Sequence, residues 1–232
     1  MEYFDRDFCL EVWGPIACFT RPELKVERMS YDVITPSAAR AIFEAIFWKP
    51  AIYWQITKIE VLNPIKWTSV RRNEVGAVAS KRPIFIEEKR QQKNTLMLKD
   101  VYYRIWAKQV YIPKWKRLES NNHVIDAEEA DALRKDENPG KYNAMFERRA
   151  SKGQCFTQPY LGTRECAASF RLVNPERDTL RPPINESRDM GIVLYDMDFE
   201  SSPTNPPALF YHAEMVNGVI IVPPKNSKEV LQ

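Results

Sequence analysis

The chain has 232 residues, 44% of them hydrophobic and 28% charged, with 34 Lys and Arg against 31 Asp and Glu. These are the values of a folded domain and exclude disorder throughout. No apolar run approaches the 18 residues of a membrane span, and the first residues lack the charged-then-apolar build of a secretion signal. A cytoplasmic protein with no membrane partner is therefore expected.

Phe8 to Phe19 reads as a first strand, with Phe8, Leu10 and Val12 on one face. Thr35-Pro36 is an N-cap followed by proline in the first helical turn. Ala39, Ile42, Phe43, Ile46 and Phe47 then recur at helical spacing up to Pro50. Ile52 to Val61 is a second strand. Residues 66–95 form a basic excursion, read as a hairpin or mobile loop, before a strand from Leu96 to Ile112. In that strand Tyr103, Ile105, Ala107 and Gln109 share one face. Tyr102, Arg104, Trp106 and Lys108 share the other, which is expected to meet a ligand.

After an acidic insertion at 119–138, Asn138-Pro139 repeats the cap-then-proline signal and opens a helix that runs to about Lys152, before Gly153. Its apolar face is Tyr142, Met145, Phe146 and Ala150, with Lys141, Arg148 and Lys152 as a basic stripe beside it. Ala168 to Val173 is a further strand. The order β-α-β-(insert)-β-α-β predicts an α+β, ferredoxin-like (RNA-recognition-type) domain over 1–173. A Pro-rich linker, 174–189, leads to strand candidates Gly191–Phe199, Ala208–Val216 and Val219–Val222. Asn217-Gly218 is a tight-hairpin signal between the last two, so 190–232 is expected to be a small antiparallel sheet domain.

Only seven glycines are present, and none builds a phosphate-cradling loop. Cys9, Cys18, Cys155 and Cys166 never pair as C-x-x-C, and His123 and His212 are the only histidines. No cofactor and no metal are expected. His212 reads as structural, whereas His123 is a candidate base from the acidic insertion.

The small net charge hides an asymmetry, because residues 60–119 hold 14 Lys and Arg against 6 Asp and Glu. Arg71, Arg72, Lys89 and Arg90 are interleaved there with Trp67, Phe85, Tyr102, Tyr103, Trp106 and Tyr111. Cations for backbone phosphates and rings for bases are the two ingredients of single-stranded nucleic-acid binding. Duplex DNA is an alternative partner.

Phe8-Cys-Leu-Glu-Val-Trp-Gly-Pro, Met29-Ser-Tyr-Asp-Val-Ile-Thr-Pro-Ser-Ala-Ala-Arg, Phe47-Trp-Lys-Pro and Arg71-Arg-Asn-Glu-Val occur in this order. Glu88-Lys-Arg-Gln-Gln, Asn138-Pro-Gly-Lys-Tyr, Arg148-Arg-Ala-Ser-Lys-Gly-Gln-Cys-Phe and Leu161-Gly-Thr-Arg-Glu-Cys follow. Together they resemble the subtype I-C (Dvulg) form of the fifth CRISPR-associated protein, an endoribonuclease family of the RAMP superfamily. The resemblance implies metal-free cleavage of the repeat hairpin in CRISPR precursor RNA. It also implies retention on the 5′ handle, beside the other subunits of a type I-C surveillance complex.

Three family positions tied to cleavage fall on Phe47, Lys141 and Tyr142, where the family carries Tyr, Lys and His. Arg148, Arg149, Lys152 and Arg164 lie in matching motifs and are expected, with the four basic residues of 71–90, to contact RNA. Phe47 has no proton to exchange, and Tyr142, with a reference pKa of about 10, is a weak base at neutral pH. A catalytically weak handle-binding subunit is therefore the alternative to a nuclease.

Overall fold

The computed structural model describes residues 5–24, 26–78, 80, 83–112, 138–202 and 204–231. His123, most of the acidic insertion and the Lys114-Trp-Lys-Arg run lie outside the described residues. The chain is mostly antiparallel β-sheet with few helices. β1 (Arg6–Ala17) leads to α1 (Pro36–Ile46), then β2 (Ile52–Val61), β3 (Lys66–Val75), a single turn α2 (Ile86–Lys89) and the long β4 (Arg90–Tyr111). α3 (Pro139–Ser151), β5 (Ser169–Val173), β6 (Arg188–Met197), β7 (Ala208–Val216), β8 (Val219–Ile221) and β9 (Val230–Leu231) follow. None of the described helices is long and apolar enough to cross a membrane.

Both long helices begin where their caps predict. The Thr35 hydroxyl accepts the Ala38 N–H, and the Asn138 side chain accepts the Gly140 N–H. α1 stops earlier than its apolar spacing suggests. Phe47 is already extended at φ −155°, ψ 120°, because Lys49 precedes Pro50 and cannot easily stay helical, and the chain turns with the Ile52 N–H on the Lys49 carbonyl. Phe47 therefore meets the core from a cap and not from the helix face.

The sheet order is β5-β1-β4-β2-β8-β7-β6, with β3 on β4 and β9 on β7, and every paired strand is antiparallel. β4 does two jobs. Its first half, Arg90 to Lys99, pairs with β3 from Val75↔Arg90 to Lys66↔Lys99, so the two form a β-hairpin. Its second half is the spine between β1 and β2. β8 pairs with β2 through Lys58↔Ile221, Ile59↔Ile220 and Glu60↔Val219, which makes the C-terminal strands continuous with the rest of the sheet. The Asn217-Gly218 turn joins β7 to β8 with φ of 50° and 74°, the conformation that a tight hairpin needs.

α1 and α3 cover one face of the sheet. The core beneath them is aromatic: Phe146 lies 4.7 Å from Phe8 and 4.5 Å from Trp54, and Phe43 lies 4.9 Å from Trp54, centroid to centroid. Leu10, Val12, Ile59, Tyr103, Ile105 and Ala107 line the floor. The 161–166 loop is sewn to the end of β1 by the Cys18 N–H on the Leu161 carbonyl. Gly162 beside it has φ +88°, and a Cβ there would stand 2.0 Å from the Cys18 carbonyl oxygen. Gly162→Ala is expected to cost roughly 2–4 kcal/mol, read as a lower urea midpoint at unchanged slope.

The opposite face corrects an expectation. Arg104 does not wait for a ligand; it is buried, 2% exposed. In the register it stands opposite Glu11 of β1 and Glu60 of β2, while Glu11 stands opposite Arg171 of β5. Arg104 reaches Glu11 at 2.8 Å, Glu60 at 2.7 Å and the Arg181 carbonyl at 2.9 Å. Tyr102 donates to Glu11 at 2.8 Å and stacks on Trp13. Trp106 donates to Glu60 at 3.1 Å, under the Lys58 ammonium. Tyr102, Arg104 and Trp106, three of the four residues that looked like a free face, belong instead to a ladder of ion pairs and hydrogen bonds across four strands.

Candidate active site

Phe47, Lys141 and Tyr142 are 94 or more residues apart in sequence between the first and the pair, yet α1's C-terminus and α3's first turn bring them to one end of the sheet. Lys141 is exposed in the first turn of α3, which carries no acidic side chain to neutralise it. Tyr142, next on the helix, turns inward and is 8% exposed. Its ring lies 6.2 Å from that of Phe47 and 6.4 Å from that of Tyr111, the last residue of β4, which it stacks against. Phe47 is fully buried, and its carbonyl accepts the Trp54 indole N–H at 3.0 Å.

Arg149 braces this corner. Its guanidinium sits 5.2 Å over the Phe47 ring and donates to the Ile46 carbonyl at 3.2 Å, satisfying an open carbonyl at the C-terminus of α1. Arg148 and Lys152 are exposed on the same helix. Two exposed rings that sequence patterning did not single out flank the corner: Trp48, 51% exposed, and Phe156, 81% exposed, whose N–H binds the Ala45 carbonyl. Trp48 directly follows Phe47, the cap of α1, and Phe156 lies three residues after Gly153 at the exit of α3. Large rings at such exits from a helix were the available signal. Tyr111 was grouped with the rings of the basic segment; its position beside Tyr142 comes from the strand register, with Ile52 as its partner on β2.

The arrangement supplies a cation at a helix N-terminus, where backbone N–H groups favour phosphate, and a wall of rings. Two phenols with exchangeable protons, Tyr142 and Tyr111, belong to that wall. His212 lies far along the chain in β7, with Nε2 3.1 Å from Asp189.

The second group of basic residues divides by strand alternation. Arg71 is exposed on one face of the hairpin, and Lys89 and Arg90 are exposed at its far end. Arg72 points to the other face, where it pairs with Glu165 and reaches Thr95. Glu165 also meets Arg28 at 3.5 Å, so its partners are Arg72 and Arg28, and Arg164 beside it is exposed. Burial pushes the Glu165 carboxyl up, but its backbone contact and the two guanidiniums outweigh that and hold it below the ordinary range. Replacing Arg71, Lys89 and Arg90 with Gln is expected to weaken RNA binding uniformly and lower the slope of log affinity against log salt by roughly 2–3. Arg72→Gln is expected to lower thermal stability instead, and salt titrations with melting curves separate the two classes.

A family model described as "CRISPR-associated protein (Cas_Cas5)", the Cas5d model, matches residues 8–223. A protein of Mannheimia succiniciproducens called "CRISPR pre-crRNA endoribonuclease Cas5d" is 46% identical over 95% of this chain and 96% of its own. One of the same description from Thermus thermophilus is 38% identical, over 95% and 93%. A solved structure titled "Crystal Structure of CRISPR-associated Protein" superposes with a TM-score of 0.69 at 26% identity, covering both chains completely. With the family model spanning nearly all of β1 to β8, and two relatives 46% and 38% identical over almost the whole chain, the chain belongs to the Cas5d family of CRISPR-associated proteins.

Proposed function

We propose that the protein is a pre-crRNA endoribonuclease that cuts without metal and then holds the 5′ handle of its product within a cytoplasmic type I-C surveillance complex. The observation that carries this reading is the near-full-length 46% identity to a protein described by that activity. The exposed Lys141 at the N-terminus of α3, beside Tyr142, supports it chemically. The ferredoxin-like reading of 1–173 is supported by the antiparallel order β5-β1-β4-β2 with both long helices on one face. In that reading 174–189 is the connection to the C-terminal sheet.

The ribose 2′-oxygen attacks the adjacent phosphorus, the P–O5′ bond breaks, and the products carry a 2′,3′-cyclic phosphate and a 5′-hydroxyl. Lys141 steadies the charge on the phosphorane, where positioned cations contribute most. Tyr142 holds the wall of the site through its ring contacts with Phe47 and Tyr111. Arg148, Lys152 and Arg164 extend the cationic surface along the RNA backbone, with Arg71, Lys89 and Arg90 on the hairpin as a second contact.

A second reading has its own observation: Phe47 lacks a proton and Tyr142 is buried, the features of a subunit that binds and does not cut. One assay separates them. Cognate repeat RNA in excess EDTA is expected to be cut, and the same RNA with a single 2′-deoxy at the scissile nucleotide is expected to bind and remain whole. Tight binding without a cut in either RNA selects the handle-binding subunit, and loss of the cut in EDTA defeats the metal-free mechanism.

A further inference from the structure

Breaking the P–O5′ bond leaves a poor alkoxide leaving group that needs a proton. Among the described residues at this corner, Phe47 has none to give, Arg149 is always charged, and Tyr142 is 8% exposed. Tyr111 differs. It is half-buried, ends the central strand β4 on the Ile52 rung, and stacks on Tyr142 at 6.4 Å, adjacent to the helix turn that presents Lys141. Its main chain is held on both sides: the Tyr111 N–H meets the Asp5 carboxylate at 3.4 Å, and the next N–H, from Ile112, binds the Ala51 carbonyl at 2.9 Å. A phenol with a reference pKa of about 10 is almost wholly protonated at neutral pH, so it is suited to give a proton and not to take one.

We propose that Tyr111 is the general acid of the cleavage, a catalytic residue outside the three family positions; this rests on the endoribonuclease reading above. As O2′–P forms and P–O5′ breaks, the electron pair passes to O5′, which takes the Tyr111 hydroxyl proton. The 2′ proton leaves to solvent water, and solvent reprotonates the tyrosinate. Lys141 gives up no proton; its ammonium stays charged.

The test is Tyr111→Phe, which keeps the ring and removes only the hydroxyl, in single-turnover cleavage of repeat RNA. It is expected to slow the cut by about 100-fold or more, the usual contribution of a positioned acid, while 2′-deoxy repeat RNA binds within about twofold of wild type. The discriminating arm uses RNA with sulfur in place of the scissile 5′-oxygen, because a thiolate leaves without a proton. On that substrate the deficit of Tyr111→Phe is expected to shrink to about fivefold or less, while the deficit of Lys141→Ala persists. A wild-type rate in Tyr111→Phe, an equal deficit on both substrates, or rescue of Lys141→Ala in its place overturns the assignment. A wild-type protein that binds the repeat and cuts neither RNA defeats the nuclease reading itself, and with it the need for any acid.

Discussion

Lys141→Ala is expected to slow repeat cleavage by roughly 10²–10³-fold while leaving the affinity for an uncleavable 2′-deoxy repeat within about threefold. The two numbers differ because an ammonium at a helix N-terminus acts mostly on charge that exists only in the phosphorane. Ground-state phosphate is already neutralised in part by the other exposed cations, Arg148 and Lys152 among them. Single-turnover rates and equilibrium binding measured on one protein preparation test this directly. Equal losses in rate and affinity would make Lys141 one more backbone contact. An unchanged rate would remove it from the chemistry and favour a subunit that only holds RNA. Lys141→Arg is an informative companion, since it keeps the charge but replaces a compact ammonium with a planar fork; partial activity is expected.

The second large effect concerns stability. Arg104→Met is expected to cost about 3–5 kcal/mol, because it leaves Glu11 and Glu60 facing each other, buried, across the space the guanidinium filled. For a chain of this size that corresponds to a melting temperature lower by roughly 10 °C. The triple change Arg104→Met, Glu11→Gln and Glu60→Gln is expected to recover most of the loss, since it removes the two carboxylate charges left facing each other and keeps the volume. A triple variant as unstable as the single one would place the cost in packing.

The same ladder sets an acid limit on stability. Burial raises the Glu11 carboxyl, but hydrogen bonds from Tyr102, Arg104 and Arg171 outweigh it and hold the group below its ordinary 4.5. Burial likewise raises Glu60, and Lys58 and Arg104 reverse it. Both carboxyls are more acidic folded than unfolded, so their stabilisation is complete above about pH 4.5 and is lost as pH falls through the depressed folded values. Urea unfolding of the wild type should therefore weaken on acidification below that point, and the triple variant should respond less.

Local features were legible in the residues. The two cap-then-proline signals, the period of α1 and α3, the extent of β2 and the Asn217-Gly218 turn all depend on neighbours a few positions apart, where short-range sterics and hydrogen bonds decide the outcome. The basic excursion resolved into a hairpin because β3 alternates along its whole length against β4. Alternation also separated Arg71 from Arg72, although both looked equally available as adjacent cations. The Lys141 position was legible as well, since the cap at Asn138 places it in an exposed first turn.

What lay beyond the sequence was the pairing of side chains between distant segments. A basic, aromatic face on one strand reads as a ligand surface until the neighbouring strands are in register. Glu11 and Glu60 then take up Arg104, and nothing within β4 announces that pairing. The same holds for the ring corner. Phe47, Tyr111 and Tyr142 meet because α1 ends one residue before Phe47, β4 ends on the Ile52 rung, and α3 packs its inner face across both. Both long helices with their caps, most of the strands, and the side chains able to carry charge or a proton could be read from the residues. Which of those charges are paired in the interior, and which rings meet beside the first turn of α3, follows from the packing of distant segments, because the energies that matter there act through space and fall away within a few ångströms.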